Sequence, residues 1–438
     1  MRVRIERAKQ FSGSTAAPGD KSISHRALIF AALSSGTCQI ENLAPGQDLR
    51  STARCLVELG VTITSEGPRA MVQGRGLSLS TPRQTLDCGN SGTTMRLLSG
   101  MVAGARIAAV LDGDASLRRR PMKRVLDPLR QMGAKAEGTQ DDKGGETAPL
   151  RFEPGPRLLG KRHQLPVASA QVKSCLLLAG LWAEGNTEIA EPQQSRDHSE
   201  RMLRAFGAPL EIGPRGVLSI HRMERPLSVP PHLYVPGDPS SAAFFVAAAL
   251  LVGTGPLRIS GVDINPTRSG FLEVLRRMGA PLSVEPEPPQ GGEPVGTLVV
   301  AGAAPLEATE VKSEEIPSLI DEVPILSVIA TQARGTTVIR GAEELRHKES
   351  DRIAQMAKGL AAMGASVEEL PDGLRIDGPT PLKGTVIDAL GDHRIAMSFA
   401  VAGLAAQGTT EIEGAEWADI SFPGFFDVLA RLSNTPLA

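Results

Sequence analysis

The sequence predicts an α/β protein built from six copies of one unit, grouped three and three. Repeated helix ends carry much of this prediction. The pattern Leu-x-x-Leu/Met/Phe-Gly-Ala/Val closes a helical stretch at Gly60, Gly133, Gly207, Gly279 and Gly364, and a degenerate copy lies at 429–433. Glycine in a left-handed conformation commonly ends a helix, and a strand-like segment follows each copy. Each unit therefore contains a helix that leads into a strand.

A second repeated element is a Gly/Asp/Ser-rich loop that opens an almost wholly apolar helix. Its six versions begin near Lys21, Asn90, Ser169, Asp238, Asp321 and Asp392. A helix that is apolar on every face belongs in the centre of its domain, whereas an amphipathic neighbour can cover the surface. Units of about 70–80 residues are too long for a solenoid repeat, so the period predicts a symmetric globular arrangement.

Two short segments predict the division into domains. Residues 229–239 contain four prolines and form a stiff crossing between the third and fourth units, while 16–19 separate a leader strand at 3–11 from the first unit. We expect one domain from 18–235 and a second from 1–17 with 236–438, joined by a double hinge. The polar or proline-rich segments 137–149 and 285–295 are expected to be surface loops.

Composition excludes several classes of protein. A net charge of −2 with 22% charged residues gives no global positive field for nucleic acid or an anionic membrane. The longest apolar run, 242–252, is too short to span a bilayer, and the first residues lack the apolar region of a secretory signal. The cysteines show no CxxC pair or metal-ligand spacing, so we expect reduced thiols, no metal site and a cytoplasmic location.

Basic residues stand at the expected starts of several helices, where the macrodipole disfavours positive charge. They are Lys21, Arg26, Arg118, Arg119, Arg120, Arg196, Lys348, Arg352 and Arg394. The mismatch costs roughly 0.3–1 kcal/mol per charge, and a bound anion would reverse its sign. Each position taken alone could be a solvated helix start with an ordinary cap. Their recurrence favours a ligand with more than one anionic group, held in a cleft between the two domains.

Small and polar residues accompany these cations in the first half. Gly92 follows Asn90-Ser91 and would let a ligand approach a helix start, although an Asn/Ser cap is the simpler interpretation. Ser169 is also expected to be a plain N-cap. Pro121 suits the first position of the helix that follows the three arginines.

The second half supplies carboxylates. Asp321 is a good N-cap, yet a carboxylate beside anion-binding cations is also a candidate general base. Lys348 and Arg352 have i, i+4 spacing in a predicted helix, and local salt bridges with Glu349 and Asp351 are the alternative. The spacing around Lys21 does not fit a P-loop, and no dinucleotide fingerprint or metal constellation is evident.

Runs in order along the whole chain resemble successive motifs of the 5-enolpyruvylshikimate-3-phosphate synthase family, in its class II bacterial branch. They are PGDKSISHRA, DCGNSGTTMRLL, GDASLRRRPM, ASAQVKSCLLLAG, SRDHSERML, DEVPILSVIA, KESDRI and GDHRIAMS. The resemblance implies a two-domain inside-out α/β barrel of the enolpyruvyl transferase type, each domain holding three βαβαββ repeats, with the active site in the interdomain cleft. It also implies transfer of the enolpyruvyl group of phosphoenolpyruvate to the 5-hydroxyl of shikimate 3-phosphate, without cofactor or metal.

The resemblance further implies the residues that act. Shikimate 3-phosphate would contact Ser22, Arg26, Ser169, Ala170, Gln171, Arg196, Asp321 and Lys348. Phosphoenolpyruvate would contact Lys21, Gly92, Arg120, Gln171, Arg352 and Arg394, and Asn90 is also assigned to substrate binding. Asp321 would take the hydroxyl proton and Glu349 would protonate the methylene carbon, with Lys21 and His393 assisting. We expect a monomer that binds neither nucleic acid nor membrane.

The sequence departs from enterobacterial relatives at three positions. Ala170 replaces a serine, His198 stands where tyrosine is common, and Ile420 stands where a phosphate-binding lysine is common. The alternative acceptor is UDP-N-acetylglucosamine, whose transferase would normally carry a cysteine in the loop matching 115–121, where this chain has none. A non-catalytic anion-binding repeat protein is the second alternative, and it would need neither Asp321 nor Glu349.

Overall fold

A computed structural model of the protein describes residues 1–142 and 144–435. The α-helices of these residues are α1 (Lys21–Ala32), α2 (Gln47–Glu58), α3 (Gly92–Ala105), α4 (Lys123–Gln131), α5 (Ala170–Gly180), α6 (His198–Ala205), α7 (Pro239–Val252), α8 (Gly270–Arg277), α9 (Val323–Ala330), α10 (Arg352–Ala362), α11 (His393–Ala405) and α12 (Phe425–Ser433).

Short strands lie between these helices. They are β1 (Arg2–Glu6), β2 (Gly13–Ala16), β3 (Thr37–Glu41), β4 (Thr62–Glu66), β5 (Arg69–Gln73), β6 (Leu86–Asp87), β7 (Ala109–Asp112), β8 (Lys135–Gln140), β9 (Glu146–Glu153), β10 (Arg162–Gln164), β11 (Asn186–Ala190), β12 (Leu210–Ile212), β13 (Leu218–His221), β14 (His232–Tyr234), β15 (Leu257–Asp263), β16 (Leu282–Gln290), β17 (Glu293–Val300), β18 (Glu310–Val311), β19 (Gly335–Ile339), β20 (Ser366–Leu370), β21 (Gly373–Gly378), β22 (Val386–Asp388) and β23 (Thr409–Glu413).

The chain divides into two compact units. Unit 1 comprises Met1–Pro18, Pro236–Pro288 and the chain from Pro294 onward, and unit 2 comprises Gly19–Val235 with Pro289–Glu293. Each unit has its own apolar core. Among the described residues, no helix has both the length and the apolar character needed to cross a membrane. The four cysteines are free and buried.

Unit 2 holds three four-stranded sheets, one for each of the first three repeats. Their strand orders are β14-β3-β5-β4, β6-β7-β9-β8 and β10-β11-β13-β12. In each sheet the first two strands are parallel and the other neighbours are antiparallel. The second and third repeats run strand–helix–strand–helix–strand–strand along the chain, which confirms the predicted βαβαββ pattern.

Unit 1 holds the sheets of the other three repeats, with strand orders β16-β17-β15-β2, β18-β19-β21-β20 and β1-β23-β22. Two of these sheets need strands from the start of the chain. Ile5 in β1 lies opposite Thr410, and Thr15 in β2 lies opposite Ile259. In the same way β14 completes the first sheet of unit 2, where Leu233 lies opposite Ile40. Each unit is therefore closed by a strand that is distant in sequence.

The apolar helices form the cores, as predicted. In α7 every residue from Ser240 to Leu250 is buried. In unit 2, α3 and α5 approach so closely that a Cβ at Gly100 would lie 2.0 Å from the backbone oxygen of Cys175. A larger residue could not fit there, so Gly100 sets the distance between these helices. The repeated glycines also take the expected left-handed conformation, with φ of 90° at Gly60 and 100° at Gly133.

Three expectations about connecting segments were wrong. The leader is not one strand, because β1 ends at Glu6 and β2 begins at Gly13. The segments 137–149 and 285–295 are largely strands of the β8–β9 and β16–β17 hairpins, apart from Lys143, which lies outside the described residues. The prolines of β16 are tolerated because it is an edge strand and needs fewer N–H donors. The predicted crossing at 229–239 is a separate case: it contains β14, which does not contradict it.

Candidate active site

The start of α1 presents Lys21 at the surface of unit 2. The helix begins at Lys21, as expected, and Asp20 caps it by accepting a hydrogen bond from the Ile23 amide at 2.8 Å. Lys21 Nζ lies 3.2 Å from Asp48 Oδ2, a partner that the sequence did not indicate. Burial raises the pKa of Asp48, but the nearby charges of Lys21 and His25 outweigh it and hold that pKa below its usual range. The lysine is therefore paired but still half-exposed.

Arg26 is a buried connector of three helices. Its Nη1 donates to the Ser22 carbonyl at 2.9 Å, its Nη2 to Ser174 Oγ at 2.8 Å and its Nε to Ser199 Oγ at 2.7 Å. Only 3% of Arg26 is exposed, and burial lowers its pKa. Arg26 thus ties α1 to α5 and α6, whereas Ser22 lies in the first turn of α1 and is partly exposed.

Two arginines converge on Gly92 at the start of α3. A Cβ at Gly92 would lie 3.0 Å from Arg96 Nη1 and 3.2 Å from Arg120 Nη1. Arg96 is only 6% exposed, and burial together with the positive charges of Arg124 and Arg120 lowers its pKa to about 10. Cations that repel one another at a helix N-terminus form a site for an anion. The sequence reasoning missed Arg96, which its i, i+4 spacing from Gly92 could have revealed.

Neutral amides hold these two cations in place. Gln171 Oε1 accepts a hydrogen bond from Arg96 Nη1, and Gln171 Nε2 donates to Thr93 Oγ1 at 2.9 Å. Asn90 Oδ1 accepts from Arg120 Nη2 at 2.7 Å. Since the described partners of Arg96 and Arg120 in these bonds are uncharged, both guanidinium charges remain available to a ligand.

The rest of the arginine run differs from the expectation. Arg118 pairs with Asp112, with 2.5 Å between Nη2 and Oδ2, so it is not directed at the Gly92 site. Pro121 is not the first residue of a helix, because α4 begins at Lys123. The amide of Met122 donates to the Glu146 carbonyl of β9 at 2.7 Å, which keeps this residue outside the helix.

The predicted residues of the third repeat flank the starts of two helices. Ser169 is the N-cap of α5, as expected, with 3.4 Å between the Val172 amide and its Oγ. Ala170 is the first residue of α5, and Arg196 lies just before α6 and is partly buried. His198 is fully buried, with its Nδ1 2.9 Å from Glu293 Oε1.

In unit 1, Arg352 lies among three carboxylates. Its Nε is 2.8 Å from Asp392 Oδ2, its Nη2 is 2.6 Å from Glu349 Oε2 and its Nη1 is 3.8 Å from Asp321 Oδ1. Burial lowers the pKa of Arg352, but the charges of Asp392 and Glu349 more than offset this and raise it. The guanidinium therefore fixes the relative positions of both proposed catalytic carboxylates.

The expectation that Lys348 and Arg352 share a helix was wrong. Asp351 caps α10, its side chain accepting from the Ala354 amide at 3.0 Å, so the helix begins only at Arg352. Lys348 lies before it and pairs with Glu344 Oε1 at 3.0 Å. The alternative of local ion pairs was partly right, since Arg352 does contact Glu349.

Asp321 does not cap α9. It lies in a 3₁₀ turn, Ile320–Glu322, and the N-cap position belongs to Glu322, which makes no side-chain cap bond. The Asp321 side chain, 17% exposed, is instead near two guanidinium groups, at 3.8 Å from Arg352 and 4.0 Å from Arg268. Its carbonyl accepts from Arg394 Nη1 at 2.7 Å. The carboxylate is thus held by cations rather than by a helix end.

At neutral pH in the free protein, Glu349 carries a charge and His393 does not. Burial raises the pKa of Glu349, but the adjacent Arg352 holds it below its usual range. Burial and the charges of Arg394 and Arg352 lower the pKa of His393 to about 3. Glu349 is therefore ionised and His393 neutral. Among the described residues, His393 Nδ1 is buried and has no hydrogen-bond partner.

The repeated fold and the cations at its helix starts define the class of protein. The solved structure of the enolpyruvyl transferase NikO from Streptomyces tendae matches 100% of this chain and 98% of its own, with a TM-score of 0.76. At 21% identity that likeness shows a shared fold. The protein has the enolpyruvyl transferase fold.

Sequence comparison identifies the family. The model of the family described as EPSP synthase (3-phosphoshikimate 1-carboxyvinyltransferase) matches residues 5–429, and the chain belongs to this family. A 3-phosphoshikimate 1-carboxyvinyltransferase from Synechococcus sp. (strain RCC307) is 52% identical over 97% of this chain and 97% of its own length. One from Gloeobacter violaceus is 52% identical over 98% of both chains.

A solved structure agrees with the family assignment. EPSP synthase from Acinetobacter baumannii is 41% identical, covers 100% of this chain and 99% of its own, and has a TM-score of 0.91. The protein is therefore an enzyme of the shikimate pathway that transfers the enolpyruvyl group of phosphoenolpyruvate to shikimate 3-phosphate. This assignment sets aside both UDP-N-acetylglucosamine as acceptor and a non-catalytic binding protein.

Proposed function

We propose that the cation clusters of the two units bind the anionic groups of both substrates, and that Asp321 is the base of the reaction. The observation that carries this proposal is the environment of Asp321, whose carboxylate lies 3.8 Å from the buried Arg352. A carboxylate held beside cations stays ionised and can accept a proton from a hydroxyl group. The proposed residues come from both units.

The proposed ligand set follows from the helix starts. Phosphoenolpyruvate is held by Lys21, Asn90, Gly92, Arg120, Gln171, Arg352 and Arg394, and shikimate 3-phosphate by Ser22, Arg26, Ser169, Ala170, Gln171, Arg196, Asp321 and Lys348. To the first set we add Arg96, since it converges with Arg120 on Gly92. Fixed guanidinium groups stabilise charge that develops during reaction without reorganising.

The reaction proceeds by addition and elimination. Asp321 takes the proton of the 5-hydroxyl, whose oxygen attacks C2 of phosphoenolpyruvate while C3 gains a proton. The resulting tetrahedral intermediate then loses phosphate while Glu349 takes a proton back from C3, which restores the double bond, and the proton held by Asp321 leaves with the phosphate. Arg352 and Arg394 balance the negative charge on the substrate throughout these steps.

The proton that C3 receives comes from Glu349 in this scheme. The carboxylate is ionised in the free protein, so it must first gain a proton. A dianionic or trianionic ligand near Arg352 would raise the pKa of Glu349 and favour its protonation, because negative charge nearby disfavours an ionised carboxyl group. His393 is neutral and assists as a hydrogen-bonding group, and Lys21 contributes charge.

The acceptor can be tested directly. Phosphate release from phosphoenolpyruvate is measured with shikimate 3-phosphate or with UDP-N-acetylglucosamine offered separately. Release that depends on shikimate 3-phosphate alone is expected. Equal release with both acceptors, or release only with the nucleotide sugar, would contradict the assignment.

Replacing Lys21 by methionine should abolish turnover and leave the fold intact. The side chain is 54% exposed and its pair with Asp48 lies at the surface, so the change costs little stability. The reaction, by contrast, loses the positive charge of Lys21, which the family resemblance places near both substrates. Phosphate release and thermal unfolding are measured together, with Lys135→Met in β8 as an exposed control that keeps its activity. A folded Lys21→Met protein with near-parent activity would exclude Lys21 from the site.

Replacing Gly92 by alanine should weaken a phosphonate inhibitor more than phosphoenolpyruvate. The added methyl group would approach Arg96 Nη1 to 3.0 Å and narrow the space beside Arg120. Overpacking a rigid site costs roughly 1–3 kcal/mol, and a ligand longer than the substrate bears more of that cost. The Michaelis constant for phosphoenolpyruvate and the inhibition constant for glyphosate are compared with the parent values. Equal changes for both ligands would show that Gly92 does not line the phosphoenolpyruvate pocket.

The finer assignments complete the proposal. The protein acts as a cytoplasmic monomer and binds neither nucleic acid nor membrane, consistent with its net charge of −2. Ile420 is 46% exposed and contributes no cation at the position where the family commonly has a phosphate-binding lysine. Sedimentation at working concentration tests the monomer.

A further inference from the structure

One carboxylate in unit 2 forms hydrogen bonds with two of the segments whose residues are proposed to bind shikimate 3-phosphate. Glu191 follows β11, and its Oε1 accepts hydrogen bonds from the Ser169 amide at 3.0 Å and from Ser195 Oγ at 2.7 Å. Its Oε2 lies 3.3 Å from the Ser195 amide and 2.9 Å from Ser195 Oγ. Ser169 precedes α5, and Ser195 precedes Arg196 and α6. Glu191 therefore links the starts of these two helices.

A buried lysine holds this carboxylate from the other side. Lys173 Nζ is 2.7 Å from Glu191 Oε2 and 2.7 Å from Glu200 Oε1, and 3.4 Å from the Ser195 carbonyl. The side chains of Lys173, Glu191 and Glu200 are 2%, 9% and 5% exposed. Burial raises the pKa of Glu200 despite the nearby charge of the lysine.

Residues next to this cluster also contact Arg26, another residue that is proposed to bind shikimate 3-phosphate. Ser199 precedes Glu200 in α6, and its Oγ accepts from Arg26 Nε at 2.7 Å and shares a 2.7 Å hydrogen bond with Ser174 Oγ. Ser174 follows Lys173 in α5. The starts of α1, α5 and α6 are thus joined by two sets of hydrogen bonds, which the backbone connects at Lys173–Ser174 and at Ser199–Glu200.

Stability alone does not account for a buried ionic cluster. Desolvation of buried charges offsets most of their attraction, and apolar side chains of similar volume often serve as well or better. What an ionic cluster adds is direction, because some of its hydrogen bonds fix backbone atoms, here the Ser169 amide and the Ser195 amide and carbonyl. Here the fixed atoms belong to segments 169–171 and 195–196 rather than to the middle of a sheet.

We propose that Glu191, supported by Lys173 and Glu200, is a positioning residue that sets the Ser169–Ala170–Gln171 and Arg196 segments at the spacing a phosphorylated cyclic polyol requires. This inference rests on the proposed function of those segments. Glu191 contacts no reacting atom in this role. Its effect falls on the affinity for the acceptor rather than on the chemical step.

The direction in which Glu191→Gln changes the affinity for shikimate 3-phosphate distinguishes a positioning role from a purely electrostatic one. Glu191→Gln removes a negative charge near an anion site, so electrostatics alone would strengthen the binding of an anionic sugar phosphate. Loss of positioning would weaken it. A purely structural role would lower the unfolding temperature and change neither substrate's affinity.

The experiment compares the parent with Glu191→Gln and Glu191→Asp in the full chain. The first keeps the length and loses the charge, and the second keeps the charge and loses the reach to the Ser169 amide. We expect the Michaelis constant and the calorimetric dissociation constant for shikimate 3-phosphate to rise about tenfold in both, as for other groups that orient a ligating residue. The maximal rate should stay within about twofold, and the Michaelis constant for phosphoenolpyruvate should rise less than that for shikimate 3-phosphate, because Gln171 is assigned to both substrates.

Glu146→Gln is the matched control. Glu146 is also buried in unit 2, where its carboxylate accepts from Arg130 at 2.7 and 2.6 Å, but it lies in the β8–β9 hairpin. We expect it to lose stability and keep the parent affinity for shikimate 3-phosphate. If Glu191→Gln does not fold, Ser195→Ala removes contacts to Glu191 without changing charge, and weaker binding of shikimate 3-phosphate is again expected.

Each result has one meaning. Unchanged or tighter binding of shikimate 3-phosphate by the folded variants overturns the positioning role. An equal loss in Glu146→Gln overturns it as well, because general destabilisation would then explain the effect. If the parent itself releases no phosphate with shikimate 3-phosphate, the proposed function fails first, and that outcome is visible without any variant.

Discussion

Replacing Asp321 by asparagine should leave shikimate 3-phosphate bound and slow its turnover at least about 100-fold, the usual scale for the loss of a general base. The amide keeps the size and the hydrogen-bonding oxygen of the carboxylate, but it cannot take the 5-hydroxyl proton. The fold should survive, because Asp321 is not the N-cap of α9 and because Arg394 donates its hydrogen bond to the Asp321 backbone carbonyl, which the substitution keeps. Turnover and calorimetric affinity are measured on the same preparations.

Asp372→Asn provides the comparison for Asp321→Asn. Asp372 is a turn carboxylate of unit 1 that pairs with Arg340 at 3.0 Å, at the surface, and its replacement should leave turnover unchanged. If Asp321→Asn binds shikimate 3-phosphate much more weakly and turns over at the parent rate, Asp321 is a binding residue and another group takes the proton.

Replacing Arg352 by leucine should destabilise unit 1 by about 3–5 kcal/mol and abolish activity. Arg352 is 2% exposed and its Nε lies 2.8 Å from Asp392, which is fully buried. Without the guanidinium, the Asp392 carboxylate is left buried and uncompensated. Glu349, whose side chain is 47% exposed, adds little to this loss because water screens it. Chemical unfolding at neutral pH gives the difference from the parent.

The pH dependence distinguishes this electrostatic loss from a packing defect. Arg352 holds the pKa of Asp392 below its usual range although burial raises it, so its contribution to the stability of the parent is complete above about pH 4 and fades as pH falls. The difference between parent and Arg352→Leu should therefore shrink in acid. A difference that is independent of pH would point to lost packing instead. Arg340→Leu at the surface serves as the reference and should cost little.

The repeats could be predicted because their signals are local. Each glycine that ends a helix adopts a left-handed conformation that is less favourable for other residues, so glycine marks the position. Each apolar helix must be buried. The failed expectations concern polar strands. The segment that became β16 is rich in proline and charge and looks like a loop, because an edge strand exposes much of its surface and needs few backbone donors.

The candidate site was only partly predictable for a related reason. Helix starts mark the region, but the pairing of side chains depends on contacts between segments that are separated in sequence. Asp48, Arg96 and Glu191 lie in three different repeats, and each meets a predicted residue through a contact distant in sequence. Asp321 was assigned a cap because Asp is common there, yet the nearby guanidinium groups hold it instead. Local sequence cannot indicate such partners.

The strands that pair with partners distant in sequence, β1, β2 and β14, constrain the order in which the polypeptide folds during synthesis. Unit 2 completes its first sheet when β14 emerges, so nearly all of it can fold while synthesis continues. β1 and β2, although they are made first, find their partners β23 and β15 only after unit 2 has been translated. Unit 2 therefore folds before unit 1. Loop closure over so long a separation makes the last step the slow one.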